Sequence, residues 1–130
     1  MGERVRDTVQ GDGYAVGSLD GMGEGPGFRK VRRELGVTAF GVNALVLPGG
    51  YTPAPHYHDE QEELYFVHQG ELTLEVDGKD FVLGPGGFAR VDAGTVRRLR
   101  NSGEDELVYV AVGGKDGYVG RDGRSPEPKA

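Results

Sequence analysis

Gly50-Tyr51-Thr52-Pro53-Ala54-Pro55-His56-Tyr57-His58-Asp59-Glu60-Gln61-Glu62-Glu63, running on through Leu64-Tyr65-Phe66-Val67-His68-Gln69 to Gly70, decides how this chain is read. Histidine is scarce, three in 130 residues, and two of the three stand one residue apart behind a Gly-Gly and Pro-x-Pro stretch. On an extended strand, side chains two apart point to the same face. His56 and His58 therefore aim into one space. Neutral imidazoles with a carboxylate are a common donor set for zinc, iron, manganese or nickel. Glu63 is the carboxylate best placed to join them. Glu62 is adjacent, but strand parity turns it to the opposite face. Tyr65 shares Glu63's inward parity, as an aromatic filler with its hydroxyl satisfied or as part of a binding site. His68 has the opposite parity and is expected on an outer or inter-subunit face.

The rest of the chain reads as strands. No stretch carries apolar residues at helical spacing over three turns, whereas short apolar runs bounded by Gly, Pro, Asp and Asn recur, the pattern of an all-β sandwich or barrel. Strands are expected near Tyr14–Leu19, Phe28–Leu35, Val37–Leu47, His56–His58, Glu63–Gln69, Glu71–Val76, Lys79–Leu83, Phe88–Val91, Thr95–Asn101 and Leu107–Gly113. Leu72, Leu74 and Val76 alternate with Thr73 and Glu75, so the three should face one side. Asp77-Gly78 is a strong hairpin signal. Gly84-Pro85-Gly86-Gly87 and Asn101-Ser102-Gly103 mark further turns, and the glycines between Gly21 and Gly27 mark a loop.

Length fits one domain with one core. With 24 Gly, 7 Pro and 28% charged residues the chain is turn-rich and polar. The expected domain covers residues 1–120, with its core at about 37–113, and residues 121–130, with Pro126 and Pro128, read as a flexible C-terminal tail. No apolar run approaches the roughly 20 residues of a membrane span. The absence of cysteine rules out disulfides and thiolate ligands. Met1-Gly2-Glu3-Arg4 has no signal-peptide core, and a cytoplasmic location is the default expectation. A net charge of −6 argues against nucleic acid as a partner. The clusters Arg29-Lys30-Arg32-Arg33 and Arg97-Arg98-Arg100 are short, and read as solvated or internally paired faces. An Arg90–Asp92 or Arg97–Asp92 pair is expected in preference to a catalytic role for Arg90.

Taken as spacing, Gly50 is followed by five residues and His56-x-His58, then four residues and Glu63, then six and Gly70. A second series runs from Gly86 over five residues to Asp92-x-Gly94, over two to Arg97 and over three to Asn101. This resembles the two motifs of the cupin superfamily. The first motif matches in full. The second matches at Gly86, Gly94 and Asn101, and departs at Asp92, where the family usually has Pro, and at Arg97, where it usually has His. The resemblance implies a double-stranded β-helix, or jelly-roll, barrel with the first-motif residues at its mouth. It also implies one divalent metal (Fe, Mn, Zn or Ni) bound by His56, His58 and Glu63.

Arg97 stands where a fourth ligand is implied, and a guanidinium cannot ligate a metal. Two His and one carboxylate can suffice for non-haem iron or catalytic zinc. A guanidinium at about 4–6 Å nevertheless repels a divalent ion by several kcal/mol, even at an effective dielectric near 20. Arg97 can swing outward, pair with Glu63 in place of the metal, or orient an anionic ligand. The first reading is a metal-dependent protein binding a small anionic molecule through Arg97 and Tyr65, with oxygenase, isomerase or decarboxylase-type chemistry. The second is a non-catalytic or sensory protein with a metal-free Arg/His pocket. A third is an accessory structural dimer. Whether the protein is an enzyme stays open. Small cupins typically pair, and a homodimer through Val37, Phe40, Val42 and Leu45 is the expectation that follows.

Overall fold

The computed structural model describes residues 2–126. The chain opens with a hairpin of β1 (Val9–Gly11) and β2 (Tyr14–Val16), a 3₁₀ turn at Leu19–Met22, β3 (Gly27–Arg29) and one short helix, α1 (Val31–Leu35). There follow β4 (Gly41–Leu47), β5 (Tyr57–His58), β6 (Glu62–Gln69), β7 (Leu72–Val76) and β8 (Lys79–Leu83). The series ends with β9 (Phe88–Val91), β10 (Arg97–Arg100), β11 (Leu107–Gly114) and β12 (Gly123–Arg124). Strand makes up 44% and helix 7%, so the fold is all-β as expected.

A five-stranded sheet in the order β3-β4-β11-β6-β9 packs against a three-stranded sheet, β10-β7-β8. Every pairing within them is antiparallel. Leu47, Tyr65, Val67 and Tyr109 from the first meet Leu72, Leu74 and Leu99 from the second in one core, with Val76 packed against it. The alternation along β7 thus faces as read. Asp77 and Gly78 both take positive φ (55° and 70°) between paired Val76 and Lys79, the geometry a two-residue hairpin of this hand requires. The barrel is not closed by continuous hydrogen bonding. Ahead of β5, Pro53 and Pro55 offer no N–H donor, and among the described residues a single bridge between His56 and Arg97 joins the β5 segment to β10.

Two motif residues outside the site, Gly70 and Asn101, have structural explanations. Gly70 sits at φ 82°, and a Cβ there would lie 2.5 Å from the Glu106 carbonyl oxygen, so only glycine fits. Asn101, 1% exposed, donates to the carbonyls of Leu47, Pro48 and Asp105 and accepts from the Gly103 N–H, tying three loops together.

Four expectations are corrected. The strand expected over Phe28–Leu35 is β3 followed by α1. The helix has under two turns, too short for its period to register, and it stops where Gly36 adopts φ 72° and returns its N–H to the Arg32 carbonyl. The glycine-rich loop begins with a 3₁₀ turn capped by the Ser18 hydroxyl. The tail expected over residues 121–130 holds a strand, because β12 pairs with β5 and Asp122 is buried; residues 127–130 lie outside the described residues. Of the residues expected at a dimer interface, Leu45 instead packs against the core and Val42 lines an internal cavity. Among the described residues no helix is long and apolar enough to cross a membrane.

Candidate functional site

β5 and the residue before it carry the two histidines; β6 carries Glu63 and Tyr65; β10 begins at Arg97. The imidazoles of His56 and His58 lie 5.0 Å apart, centroid to centroid, nearly edge to face. Both turn toward one carboxylate oxygen: Glu63 Oε1 is 3.8 Å from His56 Nε2 and 3.1 Å from His58 Nε2. One ligand atom from each of the three lies within 4.8 Å of the others. The site opens into a cavity of about 490 Å³ between the sheets, also lined by Asn43, Tyr65 and Tyr109.

Arg97 lies behind Glu63, with its side chain fully buried. One terminal nitrogen donates to Glu63 Oε1 at 2.9 Å, Nε donates to the Tyr65 hydroxyl at 3.0 Å, and the other terminal nitrogen donates to the carbonyl oxygens of Thr95, Ala93 and Asp92. The Tyr65 hydroxyl in turn donates a hydrogen bond to Glu63. Burial, followed by the Glu63 charge, pushes the Tyr65 phenol above its ordinary range, so it stays a donor. The role expected of Arg97, holding an anionic ligand, does not fit this position: the guanidinium is spent on Glu63 and on the turn before β10, and it does not line the cavity. Tyr65 does line it, but its hydroxyl is likewise committed.

Asp122 was not legible as a site residue. Its carboxylate is reached by the N–H groups of Glu60 (2.8 Å) and Gln61 (2.9 Å), and the other oxygen lies 2.9 Å from His58 Nδ1. Burial raises its pKa, but the Gln61 and Glu60 donors and His58 outweigh this and hold it well below the usual carboxylate range. An ionised Asp122 only accepts, so His58 carries its proton on Nδ1. In the neutral ring Nε2 is then a bare lone pair. It is buried, has no aligned hydrogen-bond partner, and faces a carboxylate oxygen. Two acceptors facing each other out of water demand a cation between them, either a proton or a metal ion. The three-donor set therefore fits a divalent ion, with Arg97 as a charge that works against it.

Without metal, the proton is the cation. Burial disfavours the charged imidazole, yet Glu63 and Asp122 prevail and His58 has a raised pKa. Burial also opposes the Glu63 charge, but the nearby imidazoles of His56 and His58 and the hydrogen bond from Tyr65 hold its pKa well below normal. The signs set a window. Stability from Glu63 and Asp122 is complete above their unfolded pKa of about 4 and is lost as pH falls toward their folded values. Stability from His58 is complete below about 6.5 and is lost as pH rises through its folded pKa. The metal-free protein should be most stable between about pH 4.5 and 6. Urea midpoints taken across the range test this, and a midpoint that does not fall on the alkaline side would show that His58 holds no proton.

The outward residues of β6 fall as read. His68 is exposed, and Glu62 pairs with Arg90, which also reaches Asp92. Gln69, three alternations along the strand from Glu63, is nevertheless exposed beyond an irregularity in the β6–β11 register.

The family model described as a cupin domain matches residues 43–113, more than half of the chain and all of the site except Asp122. The chain belongs to the cupin family. Among curated relatives it is 35% identical over 68 residues to quercetin 2,3-dioxygenase of Bacillus subtilis, covering 52% of this chain and 20% of that one. It is 30% identical over 68 residues to an oxalate-binding protein of Thermotoga maritima, covering 52% of this chain and 56% of that one. The cupin matches only part of the length of these relatives. Among solved structures it resembles one described as a sugar phosphate isomerase of a cupin superfamily from Silicibacter pomeroyi. That likeness has a TM-score of 0.63 and 28% identity, and covers 68% of this chain and 58% of the other.

Proposed function

We propose that this cupin binds a small molecule in its 490 Å³ cavity above a divalent metal held by His56, His58 and Glu63. The observation that carries the reading is the buried, unpartnered Nε2 of His58 facing Glu63. A divalent ion there would supply Lewis acidity or oxygen activation, the chemistry of oxygenase, isomerase or decarboxylase-type reactions. The protein's own contribution is positioning. Asp122 fixes the His58 tautomer, and Arg97 and Tyr65 fix the Glu63 carboxylate. Relatives described as a dioxygenase, an oxalate-binding protein and a sugar phosphate isomerase are compatible with a small ligand that carries an oxygen donor. Metal content of untagged protein tests the reading: stoichiometric Fe, Mn, Zn or Ni is expected, and metal-free protein that takes none up contradicts it.

A second reading has its own support. The Arg97–Glu63 pair at 2.9 Å is the arrangement a metal-free ligand-binding pocket would use. There His58 would keep its proton, and ligand binding would not respond to chelators. A homodimer, if formed, would find its apolar face at Leu64, Phe66 and Phe88 on the outer side of β6 and β9, where Leu64 and Phe88 are exposed.

Asp122→Ala would leave His58 Nδ1 and two backbone N–H groups without their acceptor. It should cost about 1–3 kcal/mol of stability and weaken metal binding roughly 10–100-fold. Denaturant melts and metal titration measure the two effects, and unchanged metal affinity would remove Asp122 from the site.

A further inference from the structure

The chain carries a net charge of −6, yet the mouth of its cavity is basic. Lys30 and Arg33 reach it from the N-terminal side, around α1, and Arg121 from the C-terminal segment. All three are exposed, and among the described residues none has a carboxylate within ion-pair distance. Arg32 also lines the cavity, its guanidinium carbon 3.9 Å from the centre of the Tyr118 ring in a cation–π contact. Among the described residues, the only carboxylates on the cavity wall are Glu63 and Asp122, both committed internally. Arg121 adopts φ 50°, uncommon for a residue with a side chain. With the backbone so turned, Asp122 is buried beneath His58 while Arg121 stays at the mouth.

A second lobe of about 400 Å³ adjoins this cavity at His56. The two share Phe28, Leu45, His56, Leu99 and Tyr109, and the second is also walled by Tyr51, Pro53 and Ala54, with no Lys, Arg, Asp or Glu among the described residues that line it. A bare inorganic anion would leave that lobe unfilled. A wholly apolar molecule would leave the cations unanswered.

We infer that the natural ligand is an apolar molecule bearing one oxyanion, a carboxylate or a phosphate. The oxyanion sits on Lys30, Arg33 and Arg121 and the apolar body in the lobe at Tyr51 and Pro53. The inference rests on the small-molecule reading above but does not need the metal. Carboxylate and phosphate share the chemistry the rim recognises.

Calorimetry with phenylacetate, phenyl phosphate, neutral phenylacetamide and acetate tests it, on chelator-treated and on Ni²⁺-loaded protein. One of the two aromatic anions should bind at least about tenfold more tightly than phenylacetamide and than acetate, a difference of about 1.4 kcal/mol. The tighter of the pair names the oxyanion. The double variant Arg33→Glu, Arg121→Gly should abolish the tenfold preference of the aromatic anion over phenylacetamide. Glycine accepts the backbone angle at position 121, and both sites are exposed, so the fold should survive. Three results overturn the inference: equal affinity for phenylacetate and phenylacetamide, a charge preference that survives the double variant, or no saturable binding of either aromatic anion at millimolar concentration. A preference seen in chelator-treated protein that takes up no metal upholds the inference and removes the metal reading instead.

Discussion

Replacing Arg97 with leucine should destabilise the metal-free protein by about 3–5 kcal/mol, the cost of leaving a buried charge without its partner. The guanidinium is fully buried and bonds Glu63, Tyr65 and three carbonyls of the turn before β10. Leucine answers none of them. Glu63 would be left beside the Tyr65 hydroxyl and the two histidines, with its fixed cation gone. The melting temperature should fall by on the order of 10 °C or more. Divalent metal should restore a large part of the loss, since an ion bound only by the folded chain stabilises it by mass action. Urea melts with and without Ni²⁺ test both halves. A loss under about 1 kcal/mol, the scale of a surface ion pair, would mean that Arg97 is not the clamp described.

Replacing Arg97 with histidine should separate its two effects. Histidine cannot reach the same set of acceptors, so the metal-free variant should be less stable. It also removes a permanent cation from beside Glu63 and offers a fourth imidazole. Divalent metal should then bind at least about tenfold more tightly, roughly 1.4 kcal/mol. That is a modest share of the several kcal/mol of repulsion that a guanidinium at this range can exert. Titration of both proteins with Zn²⁺ or Ni²⁺ decides it. Equal affinities would mean that Arg97 neither blocks nor tunes the site.

The contrast between Arg97 and Asp122 marks what a sequence can disclose here. His56, His58 and Glu63 were legible because a strand's period of two is strict, and their spacing places them on one inner face. The Asp77-Gly78 hairpin was legible because that turn needs two residues at positive φ. Arg97 was half legible. Its position in the second motif brought it to the site, but its choice between an incoming ligand and Glu63 depends on three carbonyls that converge only once the turn at Asp92–Thr95 has formed. Asp122 gave no signal. It stands 64 positions from the histidine it orients, in a segment of glycine, proline and charge with no apolar period, and it is brought in by the two-residue pairing of β12 with β5. The helix α1 was missed for a related reason, since five residues cannot display a period of 3.6.

The measurement that bears most directly on the account is a calorimetric titration of the metal-free protein with Ni²⁺ in buffers of different ionisation enthalpy at about pH 6, where His58 still holds its proton. The account predicts one ion per chain and release of a proton, as the metal takes the place between His58 Nε2 and Glu63, with binding abolished in His58→Ala. Absence of a saturable heat, or one that survives in His58→Ala, would contradict it.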